Sequence, residues 1–127
     1  MQITIDGRTA YAYTGGKPFD PGLPAVAFVH GAQNDHSVWI LQSRYFAHHG
    51  FAVLAWDLPG HGRSAGPALD TVEAMADWVL RASLAAGARR VAIVGHSMGS
   101  LIAVEAAGAQ PAQVSSIALV GTAYPMK

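Results

Sequence analysis

The segment Gly95-His96-Ser97-Met98-Gly99 constrains this chain more than any other. It follows an apolar, β-branched run, Val91-Ala92-Ile93-Val94. It leads into Ser100-Leu101-Ile102-Ala103-Val104-Glu105-Ala106-Ala107, a helix-like run of small and aliphatic residues. A strand that turns directly into a helix at a serine forces that serine into an unfavourable backbone conformation and leaves its Oγ exposed. Side chains two positions to either side would clash, and glycine at 95 and 99 removes both clashes. The following helix aims its first N–H groups at the serine, where negative charge develops during acyl transfer. The pattern predicts a nucleophile elbow, with Ser97 attacking a carbonyl carbon. A glycine-rich turn holding an incidental serine is the simpler alternative.

At 127 residues the chain is long enough for one small domain, 1–127. Hydrophobic residues make up 51% and charged residues 13%, a balance that fills a core and excludes a disordered chain. Eight basic and eight acidic residues cancel, and no basic patch stands out, so no nucleic-acid partner is expected. The absence of cysteine removes disulfides, thiolate catalysis and Cys-zinc sites together. The alternating start, Met1 to Asp6, has neither the basic nor the apolar region of a signal peptide. No run approaches the length of a membrane span, so no membrane association is expected and the expected location is cytoplasmic.

Ile3 and Ile5 alternate with polar residues, Asp6-Gly7 reads as a hairpin turn, and Arg8 to Tyr13 reads as the returning strand. Gly15 to Gly22 is a loop by composition. Ala25–Val29 and Phe51–Trp56 are continuous apolar runs, as expected of strands buried on both faces. Between them Val38 to His49 reads as a helix stopped by Gly50. After a loop from Leu58 to Pro67, Asp70-Thr71-Val72-Glu73 resembles a capping box. Val72, Met75, Ala76, Val79, Leu80 and Leu84 then keep helical spacing up to Gly87. The elbow helix ends near Gly108, Ser116 to Val120 is a further strand, and Gly121 to Lys127 carries no element. The order predicts an α/β fold: an antiparallel N-terminal hairpin, then a mostly parallel sheet with helices on both faces.

His30-Gly31-Ala32-Gln33 closes the first buried strand. Strand carboxyl ends in an open α/β sheet face one crevice, so this turn should lie near the elbow. The Ala32 and Met98 N–H groups would then form an oxyanion hole, each donor worth about 2.7–4 kcal/mol of barrier. His30 reads as structural, holding the loop by hydrogen bonds. Asp57-Leu58-Pro59-Gly60-His61-Gly62-Arg63-Ser64 follows the next strand, with Asp57 and Arg63 placed to pair across the turn. It is not a dinucleotide loop, because Ala65 stands where the third glycine belongs. Neither a nucleotide nor any other cofactor is expected. Of the histidines at 30, 36, 48, 49, 61 and 96, none is spaced with carboxylates as a metal site requires. His48 and His49 suit a helix C-terminus, and the His96 side chain must point away from Ser97. Trp39, Tyr45, Phe46 and Trp78 read as residues that pack helices on the sheet.

Taken in order, His30-Gly31-Ala32, Asp57 to Ser64 and Gly95 to Gly99 resemble the serine-nucleophile branch of the α/β-hydrolase superfamily. The resemblance runs from the first hairpin to the strand at Ser116–Val120. It implies Ser97 as nucleophile, Ala32 and Met98 as oxyanion donors, and Gly95, His96, Gly99, His30, Gly31 and Asp57 as support. A serine rather than an aspartate at 97 implies an acyl-enzyme. The substrate would be a small carbonyl compound such as an ester, thioester, lactone or amide, or a β-diketone-like one cleaved at a C–C bond.

The sequence departs from the superfamily's order of serine, then acid, then histidine. After Ser97 it holds one acidic residue, Glu105, which points away two turns down the helix, and no histidine. It therefore reads as the N-terminal half of the fold, truncated before the lid, the acid and the histidine. The missing half or a complementary chain is the expected partner, because Ser116–Val120 would otherwise be a bare hydrophobic edge. A short protein that pairs with itself, and a non-catalytic binding or interaction domain on the same fold, are the alternatives. His36 and His61 lie on strand-end loops and are the candidates for a base within the chain, given hydrogen-bond reach to Oγ and a third group to orient them.

Overall fold

The computed structural model describes residues 1–122; of the tail expected from 121 to 127, Gly121 and Thr122 instead extend the last strand, and 123–127 lie outside the described residues. Strands β1 (Gln2–Ile5) and β2 (Arg8–Tyr13) form the hairpin. Then follow β3 (Ala25–Val29), a 3-10 turn (His36–Trp39) continuing into α1 (Ile40–Ala47), and β4 (Ala52–Trp56). The chain continues through α2 (Val72–Ala86), β5 (Val91–Ser97), α3 (Met98–Ala109) and β6 (Val114–Thr122). The order across the six-stranded sheet is β1-β2-β4-β3-β5-β6. β1 with β2 and β2 with β4 are antiparallel, and the remaining pairs are parallel. The predicted α/β architecture is the observed one.

Alternation along the strands splits the core in two. Val26, Phe28, Val53 and Ala55 face α1 and pack with Trp39 and Ala47. Ala27, Val29, Leu54, Trp56, Val91 and Ile93 face the opposite way, against Val79 of α2 and Ile102 of α3. Trp56 is fully buried and donates its indole N–H to Ser83 Oγ at 3.1 Å, so that polar atom has a partner.

Three local expectations need correction. The helix expected over Val38–His49 begins as a 3-10 turn at His36, because Asp35 accepts the Ser37 N–H at 2.8 Å and starts the winding earlier. It ends at Ala47, where the His48 and His49 rings bond the Arg44 and Tyr45 carbonyls at 2.8 and 2.6 Å. The cap of α2 is Thr71, whose hydroxyl accepts the Ala74 N–H at 3.0 Å, so Asp70 and Glu73 do not form a capping box. Tyr45 does not pack on the sheet: it is 60% exposed and stacks on His49 at 3.9 Å.

Candidate active site

β5 runs straight into α3 at Ser97, whose φ of 57° and ψ of −119° lie where an L-residue is strained. A Cβ at Gly95 would overlap the Gly99 carbonyl and stand 2.7 Å from the Ser100 nitrogen. A Cβ at Gly99 would overlap the Val29 carbonyl at the end of β3 and stand 3.0 Å from the His30 oxygen. Both glycines are therefore required by close backbone approach, and Gly99 is required by a neighbouring strand rather than by the turn itself. The Ser100 hydroxyl donates to the Ser97 carbonyl at 2.6 Å and braces the turn. Met98 is the first residue of α3, so its N–H has no acceptor within the helix.

The end of β3 comes to the same place. A Cβ on Gly31 would stand 3.2 Å from the Ser97 Cβ and 3.4 Å from the His96 carbonyl, which puts the Gly31-Ala32 turn against the elbow. His30, fully buried, donates Nδ1–H to the Gly31 carbonyl at 2.6 Å and accepts the Leu58 N–H on Nε2 at 3.1 Å. Desolvation by burial holds the His30 pKa below the ordinary imidazole value. The neutral ring thus links β3 to the loop that follows β4.

Asp57, at the C-terminal end of β4, is fully buried. Its Oδ1 accepts the His36 N–H at 2.7 Å and the His36 Nδ1–H at 2.9 Å. Its Oδ2 accepts the Arg63 N–H at 2.8 Å. The expected Asp57–Arg63 pair is thus made by the Arg63 backbone, while the guanidinium lies 5.1 Å over the Tyr11 ring. A Cβ on Gly62 would overlap the Asp57 carboxylate, so glycine there lets the loop wrap closely enough for that N–H to reach.

The Asp57–His36 bond links residues 21 positions apart and was invisible to sequence spacing. One ligand atom from each of Asp35, His36 and Asp57 lies within 4.8 Å of the others, a grouping that the spacing of histidines and carboxylates along the sequence does not show. Both Asp57 oxygens are engaged, and Asp35 Oδ1 accepts both the N–H and the O–H of Ser37. Those two bonds hold the Asp35 carboxyl below its ordinary pKa. The cluster ties loops together by hydrogen bonds.

The two histidines considered as bases have other partners. β3 separates β4 from β5, so two strand spacings of about 4.8 Å each lie between the end of β4 and Ser97. His36 lies farther out, its ring 5.3 Å from Tyr11 and 5.6 Å from Tyr13 of β2. His61 bonds the Pro59 carbonyl at 3.0 Å and packs 5.0 Å from the His30 ring. Among the described residues neither ring hydrogen-bonds Ser97 Oγ. Glu105 is half-buried along α3, two turns beyond the elbow. The His96 side chain leaves the elbow toward Trp39, with ring centroids 6.2 Å apart. Among the described residues, no helix is long and apolar enough to cross a membrane.

Comparison with known proteins agrees with this geometry. The family model for the alpha/beta hydrolase fold matches residues 24–127. The dihydrolipoyllysine-residue acetyltransferase component of the acetoin cleaving system of Cupriavidus necator is 39% identical over 119 residues, 91% of this chain and 30% of that protein. The (E)-2-((N-methylformamido)methylene)succinate hydrolase of Acinetobacter baylyi is 32% identical over 120 residues, 94% of this chain and 43% of that protein. A crystal structure of a bacterial membrane phospholipase A superposes with a TM-score of 0.88 at 32% identity, covering 99% of this chain and 40% of that one. The chain thus spans less than half the length of each of these relatives. By its family-model match, and in keeping with its sheet order and strained strand-to-helix turn, the chain belongs to the alpha/beta hydrolase fold family.

Proposed function

We propose that this chain carries the nucleophile and oxyanion hole of a serine hydrolase acting on a small ester, thioester, lactone or similar carbonyl compound. The observation that carries the reading is the strained backbone of Ser97 at the β5–α3 turn, held by two glycines in backbone contact. Strained backbone of this kind clusters at active sites. Ser97 Oγ attacks the substrate carbonyl, its proton passes to a base, and the carbonyl oxygen becomes an oxyanion held by the Ala32 and Met98 N–H groups. Collapse expels the leaving group with that proton and leaves an acyl-serine. Water then attacks the acyl carbon, returns the proton to Ser97 and releases the acid. The base and its orienting acid come from polypeptide packed beyond β6, whose Ile117, Leu119 and Val120 are uncovered. The hydrolase named among the relatives supports the reaction class.

The test is labelling with a fluorophosphonate, read by intact and peptide mass spectrometry, with Ser97→Ala as the control. The expected result is one adduct per chain, on Ser97, forming faster than on any other serine and absent from the variant. An oxyanion hole without its full triad still accelerates acyl chemistry by about 10³–10⁴ in triad enzymes, so slow labelling by this chain is within expectation. Labelling spread over several serines, with Ser97 no faster than the rest, overturns the reading.

A further inference from the structure

An added Cβ on Gly31 would stand 3.2 Å from the Ser97 Cβ and 3.3 Å from Asn34 Nδ2. The Asn34 amide and the Ser97 side chain therefore meet over one bare Cα. Ala32 follows Gly31 directly, so its N–H, one of the two oxyanion donors proposed above, starts from the carbonyl carbon of that same glycine. A serine side chain, a backbone donor and a side-chain amide converge where Gly31 carries no side chain of its own.

Asn34 is fixed at its backbone and free at its tip. Its N–H donates to the Gly31 carbonyl at 3.3 Å and closes a turn over Ala32 and Gln33. Gln33, at a φ of 62°, is the left-handed residue of that turn. The same Gly31 carbonyl accepts the His30 Nδ1–H at 2.6 Å, so the turn is held from both sides. Among the described residues the Asn34 side chain makes no hydrogen bond, and the residue is exposed. With Gln33, Asp35, Ser37 and His61 it lines an open depression of about 440 Å³, so it is reachable from solvent. An exposed asparagine is satisfied by water and by itself signifies nothing. Its place beside Ser97 and Ala32 is what carries the argument.

We propose that Asn34 is a third donor to the oxyanion, its Nδ2–H adding to the N–H groups of Ala32 and Met98. The inference rests on Ser97 as nucleophile and adds one catalytic residue to that site. A primary amide offers two N–H donors and no charge, and side-chain amides serve in oxyanion holes beside backbone N–H groups. A bond from such a donor strengthens as the substrate oxygen becomes negative, so it favours the transition state over the bound ester. Because the turn sets the Asn34 backbone before any substrate arrives, only the side-chain torsions remain to be ordered.

The test compares the rates at which Ser97 is labelled by a fluorophosphonate and by its P=S counterpart, read by mass spectrometry. In both reactions Oγ bonds to phosphorus, fluoride leaves and the serine proton passes to solvent. Oxygen is a strong acceptor and sulfur a weak one, so a donor aimed at that atom speeds the P=O probe selectively. Asn34→Ala should slow Ser97 labelling by the P=O probe about tenfold, the order of one hydrogen bond to a charged group, and leave the P=S rate nearly unchanged. Asn34→Asp suits the turn as well as asparagine does but presents only acceptors, and should slow the P=O probe at least as much. Equal slowing of both probes in Asn34→Ala overturns the proposal. So does an Asn34→Asp chain labelled at the unmutated rate, which would make Asn34 a residue of the turn alone. Selective Ser97 labelling that neither substitution changes removes the third donor and leaves the nucleophile standing. Loss of selective Ser97 labelling in the unmutated chain removes the nucleophile, and this donor with it.

Discussion

The His30 Nε2 accepts the Leu58 backbone N–H at 3.1 Å, and this one bond holds the end of β3 to the loop after β4. The acceptor exists only while the ring is neutral, since protonation would place a second N–H against the first. Burial lowers the His30 pKa below its ordinary value of 6.5. The unfolded chain therefore binds a proton more readily than the folded one between the folded and unfolded values. Stability should be constant above about pH 7.5 and fall as pH drops below 6.5, by up to about 1.4 kcal/mol per pH unit from this residue. Asp35, whose carboxyl is depressed by Ser37, acts in a lower window: its contribution is present above its ordinary 3.8 and lost as pH falls beneath it. Urea unfolding at a series of pH values checks this. His30→Gln should flatten the slope between pH 7 and 5 and cost about 1–3 kcal/mol at neutral pH. An unchanged slope in that variant would remove His30 as the source.

Glycine replacements separate backbone contact from helix propensity. Gly95→Ala and Gly99→Ala each drive a Cβ into a backbone carbonyl and should cost about 3 kcal/mol or more, or abolish folding. Gly108→Ala, on the same helix as Gly99, meets nothing within 4 Å and should stabilise by a few tenths to about 1 kcal/mol. Chemical denaturation midpoints of the three variants check the contrast. Equal effects at 99 and 108 would mean that α3 does not lie against β3 as described.

Asp57 holds its loops through three N–H donors from two segments. Asp57→Asn keeps the shape but turns one end of the group into a donor facing donors, and should cost about 2–3 kcal/mol. His36→Ala removes the ring bond and the ring's contacts with Tyr11 and Tyr13 but keeps the His36 N–H on Asp57, and should cost less. A double-mutant cycle between them should give a coupling of at least about 0.5 kcal/mol. Additive costs would show that the ring bond contributes nothing.

Much of this was legible in the sequence because the signals were local. The strands at Ala25–Val29 and Val91–Val94, the helix ended by Gly87 and the turn at Ser97 all follow from runs and spacings within a few residues. His30's structural role was also readable, as a histidine closing a buried strand. The bond between His36 and Asp57 was not, because it depends on β3 and β4 lying side by side. The 3-10 start at His36 escaped because Asp35 sits before a run that already looked helical, and its cap draws the helix start backward. The Asp57–Arg63 contact was expected, and the structure shows which group of Arg63 makes it. A guanidinium beside a tyrosine ring and a backbone N–H beside a carboxylate share the same residue number.

The outer edge of the sheet gives the last prediction. Among the described residues β6 pairs with β5 on one side only, and Ile117, Leu119 and Val120 are 38%, 41% and 47% exposed. Leu101 and Val104 of α3 add apolar surface at 38% and 50% exposure. Register places Ile117 and Leu119 on the α3 side of the sheet and Val120 on the α1 side, so both faces of the strand are bare. An apolar edge strand with free N–H and C=O groups is a template for another strand. The 127-residue chain on its own should therefore self-associate in the micromolar range, with sedimentation velocity showing a concentration-dependent shift. Ile117→Lys together with Leu119→Lys charges one face of the edge and should return the chain to a monomer without loss of secondary structure. Adding the remaining part of an alpha/beta hydrolase relative as a separate polypeptide should compete with self-association in the unmutated chain and not in the lysine variant. A unmutated chain that stays monomeric across that range, with no dye binding to exposed apolar surface, would show that β6 needs no cover.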